Sequence, residues 1–295
     1  MDIRVLRYFL TIAREESFSR AAQALYLSQP TLSRQIRDME EELGVTLFVR
    51  TNRNLVLTKE GMRLRKRAQE IVDLMDKTQS EFQELDEEVA GDIYIGTGET
   101  HIMRLIAKVA IELQRQHPGI HFHLFSGDAD DVRERLDKGL LDFGIFIGDT
   151  AIHEYDFCNL PGCDTWGLLM REDHPLSSKD AIRRQDLDNI PLVISRQEQS
   201  GHALLDWLGN GFGEMNIVAT YNLIFNAAML VEQGMGCALC LDHLVDASET
   251  KGLCFRPLSP ALKVGLHLVW KKHQIFSPAA ELFLAHIQNM IPEKN

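Results

Sequence analysis

The sequence predicts an α/β protein in which a helical amino-terminal unit and one long helix precede a larger region of alternating strands and helices. Three patterns support this prediction: apolar residues at helical spacing between Ser17 and Leu43, a seven-residue apolar repeat between Leu64 and Val89, and short apolar runs separated by helical segments after Gly91. At 295 residues the chain exceeds what one hydrophobic core usually serves, so we expect more than one domain.

The segment from Ser17 to Arg50 predicts two helices joined by a tight turn and followed by a wing. Ser19 is expected to cap the first helix and Ser28 the second, whose first turn tolerates Pro30 because a backbone donor there would be unpaired anyway. Apolar residues at steps of four, three and four predict a buried stripe on the second helix, namely Leu32, Ile36, Met39 and Leu43. The opposite face carries short hydrogen-bonding groups and cations, namely Gln29, Thr31, Ser33, Arg34 and Arg37. A helix that enters a DNA major groove needs such a face, since its first turns meet base edges and its flanks meet phosphates.

This region resembles the winged helix-turn-helix of the LysR-type transcriptional regulators, and the likeness runs through the whole chain. The residues that match the family's amino-terminal signature are Phe18, Ala21, Ala22, Leu25, Ser28, Gln29, Pro30, Ser33, Ile36, Leu43, Gly44, Leu47, Phe48, Arg50, Leu57, Thr58 and Gly61. The chain departs from the signature at Val49, where an acidic residue is usual, and at Asn54. The resemblance implies a bacterial transcription regulator that contacts DNA through Ser28, Gln29, Pro30, Thr31, Ser33, Arg34, Arg37, Arg50 and Arg53. The alternative from the motif alone is a three-helix packing unit with no DNA role.

The net charge of -12 is unevenly distributed. Residues 1–60 hold nine Lys or Arg against eight Asp or Glu, a balance of +1, whereas residues 91–295 hold seventeen against twenty-seven, a balance of -10. A nearly neutral head attracts DNA weakly as a whole. We therefore expect binding to depend on locally placed cations and on dimerisation.

The long helix is expected to begin after Thr58, which can cap it, and to end at Ala90-Gly91-Asp92. Its seven-residue repeat predicts a coiled-coil seam with a second subunit, because an isolated helix with a narrow apolar stripe needs a partner. The predicted dimer contacts are Leu64, Ala68, Ile71, Met75, Phe82 and Leu85. The alternative is that this helix packs against the chain's own regulatory domain.

After Gly91 the alternation of strands and helices predicts a mostly parallel sheet covered on both faces, repeated in a second unit after Cys163. This part resembles the two-lobed periplasmic-binding-protein-like effector domain of LysR-type regulators. The expected domains are a winged helix-turn-helix at 1–58, a coiled-coil linker helix at 59–90 and an α/β effector domain at 91–295. Lobe one takes 91–161 and 267–295, lobe two takes 162–266, and the chain is expected to cross near Leu160–Gly162 and Val264–His267.

In such a domain the effector lies in the crevice at the carboxyl ends of strands, where loops and helix starts expose backbone donors. The predicted effector contacts are Thr97, Gly98, Glu99, Thr100, His101, Asp128, Ile147, Ser195, Arg196, Ser200, Asn222 and Phe225. Several have ordinary alternatives: the hydroxyls could cap helices, Gly98 could permit a turn, and Arg196 could be a solvated loop cation. Glu99 and Asp128 would repel an anion unless they are paired, which leaves a polar, zwitterionic or cationic effector open.

Metal, redox and catalytic chemistry find little support in the sequence. His121 and His123 share one strand face without a carboxylate or cysteine nearby in the sequence, so an exposed face is preferred to a metal site. The five cysteines fit reduced thiols, and the Cys237–Cys240 pair stands on a predicted buried strand where the two side chains face opposite sides; a thiol switch is the alternative. No G-x-S-x-G elbow, P-loop, Rossmann glycine run or H-E-x-x-H motif is present. We therefore expect no enzyme, no metal and no cofactor other than an effector of unknown identity.

The expected partners are double-stranded promoter DNA, the effector, a second subunit through the linker helix and RNA polymerase; the family resemblance suggests a tetramer. No apolar run is long enough for a membrane span, and Met1-Asp2-Ile3-Arg4 opens into an amphipathic helix instead of a signal peptide, so a cytoplasmic protein is expected. The competing classes, a solute-binding protein and an enzyme on the same α/β pair, are disfavoured by the missing signal peptide and the missing catalytic motifs.

Overall fold

The computed structural model describes residues 1–50, 55–83, 89–148, 152–196, 202–209, 213, 215–245 and 252–291, with only the backbone at residues 80–83 and 202. The chain divides into two compact units, Met1–Gln83 and Glu84–Asn295. We refer to the first unit as the head with its linker helix and to the second as the two-lobed unit. None of the helices in the described part is both long and apolar enough to cross a membrane.

The first unit is a small helical bundle with a hairpin. Its elements are α1 (Ile3–Glu15), α2 (Phe18–Ala24), α3 (Gln29–Leu43), β1 (Phe48–Arg50), β2 (Leu55–Leu57) and α4 (Lys59–Gln83). Strands β1 and β2 pair antiparallel and form the predicted wing. Gly61 in α4 packs so closely on the wing that a Cβ atom there would lie 2.2 Å from the carbonyl oxygen of Leu47.

The helix caps agree with the sequence prediction at two of three positions. Ser28 caps α3 by accepting the N–H of Thr31 at 3.3 Å, and Thr58 accepts the N–H of Gly61 at 2.9 Å at the start of α4. The predicted cap Ser19 is wrong, because α2 begins at Phe18, two residues earlier than a cap at Ser19 requires. Ser17 is extended and accepts the N–H of Arg20 instead, which places Ser19 inside the first turn.

The head core forms where α1, α2 and α3 meet. Phe9 and Ile12 of α1 pack there with the small residues of α2 and with the predicted stripe of α3, of which Leu32, Ile36 and Met39 are buried. Leu43 is the exception to the predicted stripe, since its side chain is 39% exposed. It is the last residue of α3, and Gly44 then turns the chain away with a positive φ of 67°.

The second unit contains two sheets with helices on their faces. In chain order its elements are β3 (Gly91–Thr97), α5 (Met103–Gln116), β4 (Ile120–Ser126), α6 (Ala129–Asp137), β5 (Phe143–Ile147), β6 (Tyr155–Asn159), β7 (Asp164–Arg171), β8 (Ile182–Arg183), β9 (Leu192–Ser195), α7 (His202–Leu208), β10 (Ile217–Tyr221), α8 (Ile224–Glu232), β11 (Cys237–Leu241), β12 (Leu253–Ser259), β13 (Lys263–Val264), β14 (Leu266–Lys271) and α9 (Pro278–Met290). Short 3₁₀ helices at Ile152–Glu154, Pro175–Ser178 and Arg184–Leu187 join some of them.

Each lobe is built on a mixed sheet. In lobe one the order is β4-β3-β5-β14-β6, with β3 parallel to β4 and β5, and with β14 antiparallel to both β5 and β6. In lobe two the order is β10-β9-β11-β7-β12-β8, with β13 paired to β7. The prediction of mostly parallel sheets is therefore correct for β4-β3-β5 in lobe one and for β10-β9-β11 and the β8–β12 pair in lobe two. The other pairings are antiparallel, namely those of β7 with β11, β12 and β13 and those of β14 with β5 and β6.

The chain passes between the lobes in two adjacent segments. The N–H of Leu160 donates to the carbonyl oxygen of Leu266 at 2.8 Å, and the N–H of Gly148 donates to the carbonyl oxygen of Gly265 at 2.8 Å. One crossing lies between β6 and β7 and the other between β13 and β14. Each lobe has its own core, and the side chain of Ile147 packs against both.

Candidate functional site

The outward face of α3 collects polar and cationic side chains. Ser28, Pro30, Thr31, Arg34 and Arg37 are exposed. The buried stripe of α3 points into the head core, so these residues share the opposite face of the same helix. The side chain of Arg34 is 82% exposed and lies 4.0 Å from Asp38, a separation that leaves the guanidinium available to a ligand.

Hydrogen bonds at the start of α3 order this face before anything binds. The hydroxyls of Ser28 and Thr31 lie 2.7 Å apart, and the amide nitrogen of Gln29 donates to the hydroxyl of Ser33 at 2.7 Å. Gln29 and Ser33 are half-buried, unlike their exposed neighbours. The Gln29 amide is therefore held in one orientation, and its carbonyl oxygen remains available as an acceptor.

The wing lies beside α3 because Glu40 connects the two. A carboxylate oxygen of Glu40 accepts the N–H of Leu47 at 2.6 Å and that of Phe48 at 3.3 Å. Arg50 ends β1, is exposed and pairs in register with Leu55. The predicted DNA contact Arg53 lies outside the described residues.

Tyr26 is a candidate contact that the sequence analysis did not single out. It stands in the turn between α2 and α3, is 97% exposed and has a positive φ of 55°. The sequence feature that could have indicated this contact is an aromatic residue between Leu25 and Leu27 in the turn. A fully exposed phenol next to the face of α3 can donate a hydrogen bond to a phosphate.

The linker helix uses part of its predicted seam inside its own head. Ala68 is completely buried and Leu64 is half-buried, and both pack in the head core. Ala68 therefore offers no surface to a second subunit, and its assignment as a dimer contact was wrong. Val72 is buried in the same core, one helical turn further on. Asp76 of α4 accepts a hydrogen bond from Arg7 of α1 at 3.1 Å, which extends this internal contact.

The other face of α4 remains apolar and exposed. Ile71 is 42% exposed, Leu74 is 41% exposed and Met75 is 37% exposed. Of the remaining predicted dimer contacts, Phe82 lies in the helix without a described side chain, and Leu85 lies outside the described residues.

Three hydroxyl groups predicted to contact an effector lie buried at strand ends and helix starts of both lobes. Thr97 is 4% exposed, Thr100 is 5% exposed and Ser195 is 6% exposed. The Thr97 hydroxyl donates to the carbonyl oxygen of Gly98 at 2.7 Å, and the Thr100 hydroxyl accepts the N–H of Ile102 at 3.3 Å. These local bonds agree with the alternative that the hydroxyls only stabilise turns and helix starts, although a hydroxyl keeps a further lone pair for a ligand.

The two carboxylates that the sequence left without an explanation are both paired across the lobes. Glu99 of lobe one accepts the backbone N–H of Ile224, the first residue of α8 in lobe two. Asp128 caps α6 by accepting the N–H of Asp131 at 3.0 Å, and its other oxygen lies 3.6 Å from the guanidinium of Arg196 in lobe two. The predicted loops of the two lobes therefore face each other.

The other predicted effector residues fall in different environments. Gly98 has room for a side chain, since a Cβ atom there would lie 3.5 Å from Ile147. Asn222 is exposed and accepts the N–H of Leu223 at 3.0 Å. Phe225 is 65% exposed and shares a helix face with Met229, which is 49% exposed, so it belongs to an apolar surface of α8. Ser200 lies outside the described residues.

His101 lies beside two acidic residues, of which it contacts Asp164 directly. Its Nδ1 atom contacts Oδ1 of Asp164, the first residue of β7. Asp242, the residue after the end of β11, has a carboxylate oxygen within 4.8 Å of both. Asp164 is completely buried, and this burial raises the pKa of its carboxyl group, although the Thr100 hydroxyl and His101 oppose the rise. Asp242 accepts the N–H of Thr165 at 2.9 Å.

The histidine pair His121 and His123 and the cysteine pair Cys237 and Cys240 occupy the positions that the sequence predicted. His121 and His123 lie on an exposed strand face, where His123 pairs with Asp92 at 2.9 Å, a carboxylate that is close only in space. Cys237 and Cys240 lie in different cores on opposite faces of β11, as predicted. Burial raises the pKa of Cys237 to about 11 and also raises that of Cys240. All five cysteines are free thiols.

Comparison with known proteins matches both units to one family. Residues 3–62 match the family model described as bacterial regulatory helix-turn-helix protein, lysR family, and residues 86–291 match the LysR substrate binding domain. Among known sequences, the HTH-type transcriptional regulator BsdA of Bacillus subtilis is 30% identical over 247 residues, 81% of this chain and 83% of that protein. The Hca operon transcriptional activator HcaR of Escherichia coli is 28% identical over 295 residues, 99% of this chain and 98% of that protein.

Solved structures agree with the fold. Full-length CbnR complexed with its target DNA matches with a TM-score of 0.75 at 19% identity, covering 98% of this chain and 99% of that one. HinK, a LysR family transcriptional regulator from Pseudomonas aeruginosa, matches with a TM-score of 0.57 at 22% identity, covering 98% of each chain. The fold class and the family expected from the sequence are thereby confirmed. The chain belongs to the LysR family and is a DNA-binding transcriptional regulator with an effector-binding domain.

Proposed function

We propose that two copies of the head read an inverted repeat in promoter DNA through α3, and that a small molecule in the crevice between the lobes alters how the copies are arranged. The observation that carries this proposal is the division of α3 into two faces. Leu32 and Ile36 are buried in the head core while Arg34 and Arg37 are exposed on the opposite side. That division fits a helix held on one face and read out from the other.

On this helix we assign base readout to Gln29, Thr31, Ser33 and Arg34. Gln29 is oriented by Ser33, and an oriented amide suits the paired donor and acceptor of an adenine edge, while Arg34 suits a guanine edge. Arg37, Arg50 and Arg53 then serve phosphates, with Tyr26 as a further phosphate donor and Ser28 and Pro30 setting the start of the helix. Since the head carries a balance of only +1, these few positions carry most of the attraction to DNA.

We propose that the dimer forms along the exposed face of α4. Ile71, Leu74 and Met75 present the apolar surface that a partner helix would cover. Phe82 and Leu85 continue the same seven-residue repeat in the sequence. A second contact, and with it a tetramer, would use effector-domain surfaces; the exposed Phe225 and Met229 of α8 are apolar enough for that role.

The crevice suits a polar effector better than a simple anion. The N–H at the start of α8, which would attract an effector carboxylate, already meets the carboxylate of Glu99. An effector must therefore displace Glu99 or present a donor or cationic group to it. Thr100 in lobe one and Ser195 in lobe two are our best single contacts, because each places a buried hydroxyl on its own side.

We propose that effector binding acts by shifting the population between arrangements of the lobes. The effector binds one arrangement of the lobes more tightly than the other. This difference in binding free energy shifts the population toward that arrangement, in which the angle between the paired heads differs. We take the protein to work in the cytoplasm, with promoter DNA and RNA polymerase as its partners and without enzymatic activity. The head, linker and effector divisions at 1–58, 59–90 and 91–295 remain our working boundaries.

The proposal is tested by fluorescence anisotropy with DNA from upstream of the protein's own gene and its neighbours. Compounds handled by the neighbouring gene products form the effector panel, and one of them should change DNA affinity. Thr100→Val and Ser195→Ala should each weaken that effector by about 1 kcal/mol in calorimetric titration and leave DNA affinity without effector unchanged. Unchanged effector affinity in both variants would move the site out of the crevice.

A further inference from the structure

One histidine and two aspartates meet where lobe one touches lobe two, although no metal site was expected from the sequence. His101 comes from the loop after β3 in lobe one, Asp164 begins β7 directly after the first crossing, and Asp242 follows β11 in lobe two. One donor atom from each lies within 4.8 Å of the other two. This was not visible in the sequence because the three residues are far apart along the chain.

Asp164 has the features of an unsatisfied ligand. The residue is completely buried, and neither of its carboxylate oxygens has a hydrogen bond of acceptable geometry. The Nδ1 atom of His101 is also buried and lacks such a bond, even though it lies against Oδ1 of Asp164. Buried polar atoms are normally hydrogen-bonded, and a carboxylate whose contact with His101 is poorly aligned keeps lone pairs for a further ligand.

The acidic side chains around Asp164 favour a cation as the further ligand. One oxygen of Asp164 and one of Asp242 lie within 4.8 Å of each other, and two carboxylate charges at that separation repel each other. Glu99 lies on the same loop as His101. A salt bridge with a protonated His101 would offset only one of the acidic charges, and a divalent ion offsets both.

We propose that His101, Asp164 and Asp242 bind a divalent transition-metal ion, most naturally Zn²⁺. One imidazole nitrogen and carboxylate oxygens form a donor set that Zn²⁺ and Co²⁺ accept, whereas Ca²⁺ and Mg²⁺ prefer oxygen ligands alone. Three protein ligands leave a coordination position for water or for an oxygen atom of an effector. The site goes beyond the proposed function and stands whether or not a small molecule occupies the crevice.

The position of the site gives the metal a structural consequence. Its ligands come from both lobes, so an ion bound there ties lobe one to lobe two beside the first crossing. Thr100 directly precedes His101 on the same loop, so its buried hydroxyl would stand near the ion as an outer partner of the ligands. Metal binding should therefore raise the thermal stability of the chain as well as change its spectrum.

Titration of the metal-free full-length protein with CoCl₂ tests the proposal. Tetrahedral or five-coordinate Co²⁺ absorbs visible light far more strongly than hydrated Co²⁺, so the visible band should rise to saturation at one ion per chain. ZnCl₂ should then abolish the band. His101→Gln and Asp242→Asn should each weaken Co²⁺ binding at least tenfold. Both residues are partly exposed, so these variants should keep the fold, and circular dichroism checks that they do.

His123→Gln is the matched control, because His123 with Asp92 forms a second histidine–carboxylate pair on the surface. This variant should titrate like the wild type. The proposal is overturned if no saturable band appears, or if His101→Gln and Asp242→Asn bind as tightly as the wild type. A strong near-ultraviolet thiolate band would also overturn it, since it would assign the ion to cysteines.

Discussion

The carboxylate of Glu99 accepts the backbone N–H of Ile224, and this hydrogen bond joins the loop after β3 in lobe one to the first residue of α8 in lobe two. Helix starts carry unpaired N–H groups and a partial positive charge, so a carboxylate is favourable there. The bond also explains how an acidic residue is tolerated in a crevice proposed to bind a ligand.

Replacing Glu99 tests how much this bond stabilises the two-lobed unit. Glu99→Ala should lower its free energy of unfolding by about 1–2 kcal/mol, because the α8 donor loses a charged acceptor. Glu99→Gln keeps an acceptor oxygen and should lose less. Urea unfolding followed by circular dichroism measures the change, with Glu112→Ala on the exposed surface of α5 as the control. Equal stability of Glu99→Ala and the wild type would contradict the assignment.

Ser28 allows the capping role to be separated from DNA contact. Ser28→Ala should lower the stability of the head by about 1 kcal/mol, since the N–H of Thr31 loses its acceptor. Ser28→Asp keeps the cap and should restore that stability. The added carboxylate would face DNA phosphates, so Ser28→Asp should nevertheless bind promoter DNA more weakly than the wild type. Full DNA affinity in a stable Ser28→Asp protein would place Ser28 away from DNA.

The linker helix predicts opposite outcomes for adjacent residues. Ile71→Glu should give a folded protein that dissociates, because the exposed Ile71 lies on the proposed seam and a buried charge there is costly. Val72→Ala should keep the dimer but lower head stability by about 1–2 kcal/mol, since Val72 lies in the head core. Sedimentation equilibrium and urea unfolding distinguish the two. A fully dimeric Ile71→Glu variant would place the dimer contact elsewhere.

Thiols whose pKa is raised by burial should resist oxidation. With a pKa of about 11, Cys158 and Cys237 should be only about one part in a thousand thiolate at pH 8, and the thiolate is the reactive form. Reaction of the folded chain with Ellman's reagent at pH 8 should therefore be slow at these positions and fast after unfolding in urea. The rate should rise with pH toward 11. Rapid formation of a Cys237–Cys240 disulfide in the folded protein would contradict the prediction that these thiols are unreactive.

Local sequence signals predicted the head well because its structure depends on local spacing. The cap at Ser28 and the stripe through Leu32 and Ile36 follow from residues a few positions apart. Local signals do not indicate β12, because Pro257 lies inside it and proline is unusual in a strand that has neighbours on both sides. Leu43 was misassigned because the helix ends there, which periodicity alone does not reveal.

Contacts between distant residues could not be predicted in the same way. The repeat on α4 correctly indicated a helix with an apolar stripe, but it could not show that Ala68 faces its own head while Ile71 faces outward. The pairing of Glu99 with Ile224 and the approach of His101 to Asp164 depend on how the lobes meet. Such contacts need the three-dimensional fold, since no sequence spacing encodes them.

A DNase I footprint on DNA from upstream of the protein's own gene, at several salt concentrations, tests whether the exposed face of α3 reads DNA. The wild type should protect an inverted repeat whose half-sites lie on one face of the DNA, one or more helical turns apart. Arg34→Ala should bind this site about 1–3 kcal/mol more weakly, while Arg14→Ala, which removes an exposed cation from α1, should bind as the wild type does. No protected repeat at any such site, or equal protection by Arg34→Ala, would contradict the claim that the exposed face of α3 reads DNA.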